Sequence, residues 1–482
     1  MTDVVVVGSG PNGLAAAVIM ARAGLQVEVF EAQDTVGGGA RTLELGLAPG
    51  VRHDICSAIH PMAAASPFFR EFDLAARGVE LRYPEVSYAQ PLDGGRAGIA
   101  YRDLERTIEG LGADGDSWRR LMKPLVEAAS AVVEFGTFDR RRIPGAPVTA
   151  AHILLSALDQ GTPLWNRRWQ TDVAPALLSG VAAHAITPLP SLAAGAASLV
   201  LAVLAHAPGW PLPVGGSQAI TDALVSDLKA HGGTVTTSAA VTDLTELPIA
   251  SAYLFDTTPA ALVRIAGDRM PSRYVRAAAR YRYGNAVAKV DFALSGPVPW
   301  AHPEVRRAGT IHVGGTRSEM AAAEAAVFGG RHAERPMVLS SDPAVLDPGR
   351  VVSGVRPFWT YAHVPAGSTV DVGDTVQAQI ERFAPGFGDV VVARRVIPAA
   401  EMERHNANYI GGDIAAGAVT IWQMLARPVP RWDPYATPLP GVYLCSQSTP
   451  PGPAVHGMCG LHAARRALRD RFGIRRLPSL AP

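Results

Sequence analysis

The sequence predicts an α/β protein: one doubly wound domain assembled from three separated stretches of chain, with a second, α+β domain inserted between them. Three observations carry that prediction. Near residue 4 a run of four valines meets a glycine-rich turn and then an alanine-rich helix. Near residue 213 a turn–helix–strand rhythm resumes after a long, looser region. The last fifty or so residues read as a strand, a Pro/Gly-rich loop and a helix.

Val4–Val7 suits a short strand buried on both faces, because four consecutive β-branched residues leave no polar face for solvent. Gly8-Ser9-Gly10-Pro11-Asn12-Gly13 follows, and the helix behind it reaches about Ala23. Gly24 ends that helix, and Gln26 to Phe30 forms a second strand closed by Glu31. Residues 76–209 hold helical stretches, Pro-rich turns and bulky side chains such as Trp165 and Trp169. Pro213-Val214-Gly215-Gly216-Ser217 precedes a helix from about Ala219 to His231. Strands are expected at Thr234–Thr237, Ala239–Leu244 and Ala252–Asp256. From 281 to 430, apolar stretches such as Ala286–Leu294, Gly309–Val313 and Met337–Ser340 predict a mostly antiparallel sheet with helices. Strand Val442–Cys445 and a helix from Met458 to Phe472 finish the chain. The predicted division is 1–75, 210–265 and 431–482 for the nucleotide-type domain, with 76–209 and 266–430 as the inserted one.

The chain has 482 residues, 48% hydrophobic and 18% charged, with a formal net charge of +1. This is ordinary globular composition with no basic excess, so nucleic acid is not an expected partner. Cys56, Cys445 and Cys459 form neither a C-x-x-C pair nor a metal cluster, so no metal and no redox disulfide is expected, and a reducing cytoplasm fits. Asp3 leads straight into the first strand, so no signal peptide is expected. The longest apolar run, about Leu192 to Ala207, is interrupted by Gly195, Ser198 and His206 and falls short of the ~20 residues of a bilayer span. It reads as a buried or tunnel-lining helix. Docking on a membrane surface stays open, and a homodimer is compatible with everything in the sequence.

Gly8, Gly10 and Gly13 match G-x-G-x-x-G with a strand before and a helix after. The first glycine permits the tight turn, the second lets backbone approach a pyrophosphate, and the third lets helix pack on strand. The helix N-terminus, through Pro11 and Asn12, offers partial positive charge to phosphates. Glu31 stands at about the spacing expected of the acid that binds ribose hydroxyls, with Ala32 next to it. This is the Rossmann-type fingerprint, and by itself it does not separate FAD from NAD. Gly37-Gly38-Gly39-Ala40-Arg41-Thr42 favours FAD, since a glycine turn followed by arginine can wrap an extended dinucleotide. Gly38, Gly39 and Arg41 are the candidates there, with Arg41 near the pyrophosphate and flavin.

Several stretches make the chain resemble the phytoene desaturase-related branch of the amine oxidase flavoprotein superfamily, nearly end to end. They are Gly8–Gly13, Gly37–Thr42, Asp54–Pro61, Pro213–Ser217, Asp256–Pro259, Ala384–Phe387, Asn406–Asp413, Leu444–Gly452 and Val455–Met458. The resemblance implies a Rossmann-type FAD-binding domain with an inserted α+β substrate domain. It places Ser446, Val455, His456, Gly457 and Met458 against the ribityl chain and isoalloxazine, and brings Ser57 and Ala58 to the same cofactor. The helix beginning near Met458 would aim its N–H groups at the flavin C2 carbonyl, a dipole that stabilises the reduced anion. Gln447 stands where many relatives carry aspartate, and Val241 where a backbone group meets the adenine.

Lys289 corresponds to a strand lysine that, in amine oxidases, approaches flavin N5 through a water. A lysine among apolar strand residues is costly to bury unpaired. Asp291 is read as a poor partner for it, on the argument that strand neighbours face opposite ways. His60 and His456 are candidates to orient substrate or shuttle a proton, and structural roles are equally open for both. The implied activity is an FAD-dependent dehydrogenase, desaturase or oxidase that takes a hydride from a hydrophobic or amphipathic small molecule. The alternatives are an amine oxidase, for which no aromatic pair is assignable from sequence, a redox-neutral flavin isomerase, and an FAD-bearing scaffold.

Overall fold

The computed structural model describes residues 2–139 and 145–482. Its first sheet is parallel throughout, in the order Val442–Leu444, Ala252–Phe255, Val4–Val7, Val27–Phe30, Thr234–Thr236. The strands come from the beginning, middle and end of the chain, so the predicted assembly from discontinuous segments is observed. Val4–Val7 lies at the centre and is almost wholly buried, as a strand with helices on both faces must be. Helix Pro11–Arg22 packs between Gln218–Ala230 and Met458–Phe472, sharing one core through Leu14, Ile19, Leu224 and Leu461. The approach to the last helix is close: a Cβ at Gly460 would fall inside the contact distance of the Asn12 carbonyl oxygen.

Ala239–Leu244 is not a strand. Ser238 takes a positive φ, its N–H bonds to the Gln33 carbonyl, and Ala239 N–H bonds to the Glu31 carbonyl. The chain thereby crosses the end of the sheet instead of adding to it. Leu244–Glu246 is a short 3-10 turn capped by Asp243.

The second sheet has seven strands, in the order Val391–Ile397, Ala286–Leu294, Arg356–Val364, Val338–Ser341, Ala308–Val313, Val86–Leu92, Arg96–Tyr101. It is antiparallel except where Ala308–Val313 runs parallel to Val86–Leu92. Two of its strands therefore lie inside the stretch 76–209, where the sequence reading saw only helices and turns. One face is apolar and carries Val290, Phe292, Phe358, Ala362 and Val313, packed on Ile380, Phe383 and Phe387. The opposite face presents Lys289, Asp291, Trp359, Tyr361, Thr310 and His312, which follows from the period of two along each strand. Leu192–His206 is a helix whose Ala193, Ala197, Val200 and Leu201 line a cavity beneath that polar face. No helix among the described residues is long and apolar enough to cross a membrane.

Candidate functional site

One cavity of about 1030 Å³ runs from the glycine turn to the polar face of the second sheet. At its first end it is lined by Gly8, Gly10, Pro11, Asn12, Glu31, Ala32 and Val241. Gly38, Gly39, Ser57, Ala58, His60, Gln447, Val455 and His456 line its middle. Its far end holds His184, Trp210, Thr310, Leu339, Trp359 and Tyr361. A branch bounded by Leu154, Val200, Leu201, Ile421, Met424 and Leu425 is apolar, and Leu154, Ile421 and Leu425 are also exposed on the surface.

The glycine turn folds as its sequence requires. Gly8 takes φ +99°, a conformation that favours glycine. Gly13 sits so close to Asp256 that an added Cβ would be 2.8 Å from the Asp256 Cβ, and its N–H donates to Asp256 Oδ2 at 3.0 Å. Burial pushes the Asp256 carboxyl up to about 7, with the nearby charge of Glu31 adding to the rise and the Gly13 N–H opposing it. Glu31 is held by protein on both oxygens. Ser9 donates to Oε2 from its N–H at 2.9 Å and its hydroxyl at 2.6 Å, and Gln33 N–H donates to Oε1 at 2.8 Å. Asn12 Oδ1 is buried on the cavity wall without a partner among the described residues.

Arg41 is buried but does not line the cavity. Its guanidinium donates to the carbonyls of Gly38 at 3.0 Å and His405, and to the Thr35 hydroxyl at 3.1 Å. It therefore braces the turn Gly37–Ala40 from behind. Ser57 donates its hydroxyl to the Gly39 carbonyl at 3.0 Å, tying that turn to Cys56–His60.

At the C-terminal loop, Ser446 lies below the wall, with its hydroxyl donating to the Thr257 carbonyl at 2.6 Å. Gln447 donates to the Ile414 carbonyl at 2.8 Å. Met458 N–H donates to His456 Nδ1 at 3.0 Å, so the proton of that ring is on Nε2, which faces the Gly452 carbonyl at 3.0 Å. Both nitrogens are occupied, and burial lowers the ring to about 4. His456 thus caps the last helix as a neutral ring, and the Met458 amide is committed to it. Gly457 packs on Phe68 and does not line the cavity.

His60 differs. Ser217 spends its hydroxyl proton on the Ser57 carbonyl at 2.6 Å, so His60 Nε2–H is the donor in the 2.8 Å contact with Ser217 Oγ. The lone pair is then on Nδ1. Burial lowers this ring to about 4, partly offset by Asp54.

Lys289 is fully buried and is bonded to Asp291, contrary to the expectation that these two face apart. Residues two apart on a strand share a face; only immediate neighbours alternate. The ammonium lies 4.9 Å from the ring centroid of Trp359, which lines the cavity where Lys289 does not. Burial lowers its pKa, opposed by Asp291.

Sequence reasoning left the aromatic and polar residues at the far end without a role, and read Asn406–Asp413 as a turn near the flavin edge, a domain contact or a purely structural stretch. Asn408 accepts from Thr258 N–H and donates to the Asp256 carbonyl, both at 2.9 Å, which fastens the inserted region to the end of strand Ala252–Phe255. Trp359 and Tyr361, with centroids 5.2 Å apart at 75°, were legible only as alternating residues of an unassigned strand. Cys56, Cys445 and Cys459 are unpaired, and among the described residues no cluster suits a metal ion.

Residues 6–72 match the NAD(P)-binding Rossmann-like domain. The rat protein called pyridine nucleotide-disulfide oxidoreductase domain-containing protein 2 is 26% identical, covering 97% of this chain and 93% of its own length. A putrescine oxidase solved with putrescine bound superposes with a TM-score of 0.60 at 17% identity, over 98% of this chain and 99% of that one. Cyclohexylamine oxidase from Brevibacterium oxydans gives 0.55 at 14% identity, over 98% and 100%. The chain is thus related over nearly its whole length to pyridine nucleotide-disulfide oxidoreductase domain-containing protein 2, and it carries a Rossmann-like dinucleotide-binding domain within the fold of the amine oxidase-type oxidoreductases.

Proposed function

We propose that the protein is an FAD-dependent oxidoreductase, a dehydrogenase, desaturase or oxidase acting on a hydrophobic or amphipathic organic molecule. The observation that carries this reading is the continuity of one cavity from the glycine turn and Glu31 to an aromatic chamber under the second sheet. A nicotinamide site of ordinary type ends beside its Rossmann sheet, whereas this cavity continues past Gly38, Gly39 and the 451–456 loop. Its size lies at the upper edge of the usual range for small-molecule pockets, which suits a cofactor and a substrate together.

The residues fit such a group. The Asn12 side-chain amide, which can turn its Nδ2 donors to the cavity in place of the unpartnered Oδ1, and the glycine backbone beside it suit the pyrophosphate end, and Glu31 suits the ribose. The chemistry FAD would supply there is acceptance of a hydride equivalent from the substrate. The protein's own contribution is to exclude water and to hold the reacting carbon in the chamber of Trp210, Trp359 and Tyr361. His60 presents a neutral imidazole on the wall, its Nδ1 lone pair suited to accept a hydrogen bond from substrate and so to orient it. The acids on the cavity wall, Glu31 and Asp256, belong to the nucleotide end. An ammonium in the chamber would meet no carboxylate among the described residues of the wall there, which favours oxidation of a carbon chain over that of an amine. The exposed Leu154, Ile421 and Leu425 at the apolar branch suit access for such a substrate, including from a membrane surface.

The test is the visible absorption spectrum of the purified protein, followed by identification of the cofactor released on denaturation. A two-band flavin spectrum with releasable FAD is expected. A colourless protein that also fails to take up added FAD would overturn the reading.

A further inference from the structure

The far end of the cavity is unusual for the polar atoms it leaves unpaired. Thr310 Oγ1 and Trp359 Nε1 are buried, belong to residues that line the cavity, and have no hydrogen-bond partner among the described residues. Leaving such a group unsatisfied forfeits its hydration without a replacement bond, and native proteins do so rarely without a reason. Both lie on the polar face of the second sheet, and His312 shares that face with Thr310 two residues along the strand.

His184 supplies a third group. Its Nε2 lies 2.8 Å from His312 Nε2, so one ring donates to the other. Burial holds His184 down to about 3 and His312 well below its ordinary value, so both are neutral. His312 Nδ1 is buried without a partner. Were it protonated, a donor would be orphaned in the core, which proteins tolerate less than an orphaned acceptor. The Nε2 proton therefore belongs to His312, and the proton of His184 is on Nδ1, on a residue of the cavity wall. The far end then offers an indole N–H, an imidazole N–H and a hydroxyl. On the same face Lys289 is bonded to Asp291 and His363 to Glu324; Asp291 Oδ2 and His363 Nε2 are left without a partner among the described residues, but neither residue lines the cavity.

We infer that Trp359, His184 and Thr310 form a recognition site for a neutral oxygen, a carbonyl or hydroxyl, at the end of an otherwise apolar substrate. Donors predominate, so an oxygen with lone pairs is accepted. An ammonium brings only further donors and finds no carboxylate among these groups. The inference rests on the oxidoreductase reading above only in calling the occupant a substrate.

Titration calorimetry on the purified protein with methyl heptyl ketone and with octylamine tests it, the flavin content being read on the same sample from its absorption. The ketone is expected to bind at least about tenfold more tightly than the amine. Thr310→Val is expected to weaken the ketone three- to tenfold and leave the amine unmoved, by the worth of one neutral hydrogen bond. Trp359→Phe, which keeps the ring and removes the N–H, serves if the first variant fails to fold. Equal binding of ketone and amine, or a ketone affinity unchanged in a folded variant, would overturn the inference. FAD-loaded protein without this discrimination refutes the recognition site and leaves the flavin reading intact. Protein that discriminates but neither holds nor takes up FAD refutes the flavin reading alone.

Discussion

Asp256 closes the glycine turn, and its charge state sets a pH dependence. A carboxyl whose native pKa is raised to about 7 favours its protonated form in the folded protein. Its contribution to stability is fully present below the unfolded value of about 4 and is lost as pH rises through 7. The ceiling on that loss is about 4 kcal/mol. Asp256→Asn cannot ionise and retains an oxygen for Gly13 N–H. Cofactor-stripped wild type is therefore expected to lose stability to urea between pH 5 and 8, and Asp256→Asn to lose markedly less. Equal slopes in the two proteins would mean that another group titrates. This residue was visible in the sequence as the end of a buried strand and the start of one resemblance stretch, with no partner assigned to it. Its role needs the turn and the strand in contact, 243 residues apart in sequence. Lys289 shows the converse: its burial was legible from the apolar strand around it, and its partner was missed by misplacing the strand period by one residue.

At the scale of elements, local chemistry made most of the nucleotide domain readable. Glycines fix the turns at Gly8 and Gly37, and a run of valines or a proline at the first helical position marks what precedes or follows. The strands Val86–Leu92 and Arg96–Tyr101 were not readable, because the first is buried throughout and so shows no alternation, and its parallel neighbour is Ala308–Val313. Ala239–Leu244 failed for the opposite reason: its apolar residues suit a strand, but backbone bonds to Glu31 and Gln33 divert it. The turn Gly37–Ala40 also carries a prediction. A side chain at Gly39 would overlap the hydroxyl of buried Tyr409, whereas Cys56 Cβ would stand 3.7 Å away in ordinary contact. Gly39→Ala is expected to cost about 1–3 kcal/mol through overpacking. Gly39→Ala in a Tyr409→Phe background should recover part of that, because the overlapping atom is gone. Both are measured by denaturant midpoint. A Gly39→Ala variant as stable as wild type, or a double variant no better than the single, would show that the turn moves aside instead.

At the scale of the whole molecule, the assembly from separated segments was foreseeable because each segment carries its own strand–turn–helix signature, whereas the far end of the cavity was not, since it is composed of residues from five distant stretches. The first sheet holds strands from the start, middle and end of the chain. The inserted region is fastened to it by Asn408 on Asp256 and Thr258, and by the buried pair Arg350 and Asp54 at 3.1 Å. A ligand that spans Gly10, Gly39 and Val455 touches segments that meet only in the folded state, so it stabilises the fold by mass action. FAD at about 100 times its Kd contributes about 2.7 kcal/mol, a rise on the order of 3 °C in Tm for a chain of this length. Because the cavity is walled by both sheets, the whole unfolding transition is expected to shift as one. Calorimetry of stripped protein with and without FAD, and with NAD at the same concentration, checks this. A transition that splits, with one component unmoved by FAD, would show that the second sheet melts independently and that the fastenings at Asn408 and Arg350 do not couple it to the cofactor. A shift produced by NAD and not by FAD would instead place an ordinary nicotinamide site at the glycine turn and leave the rest of the cavity to substrate alone.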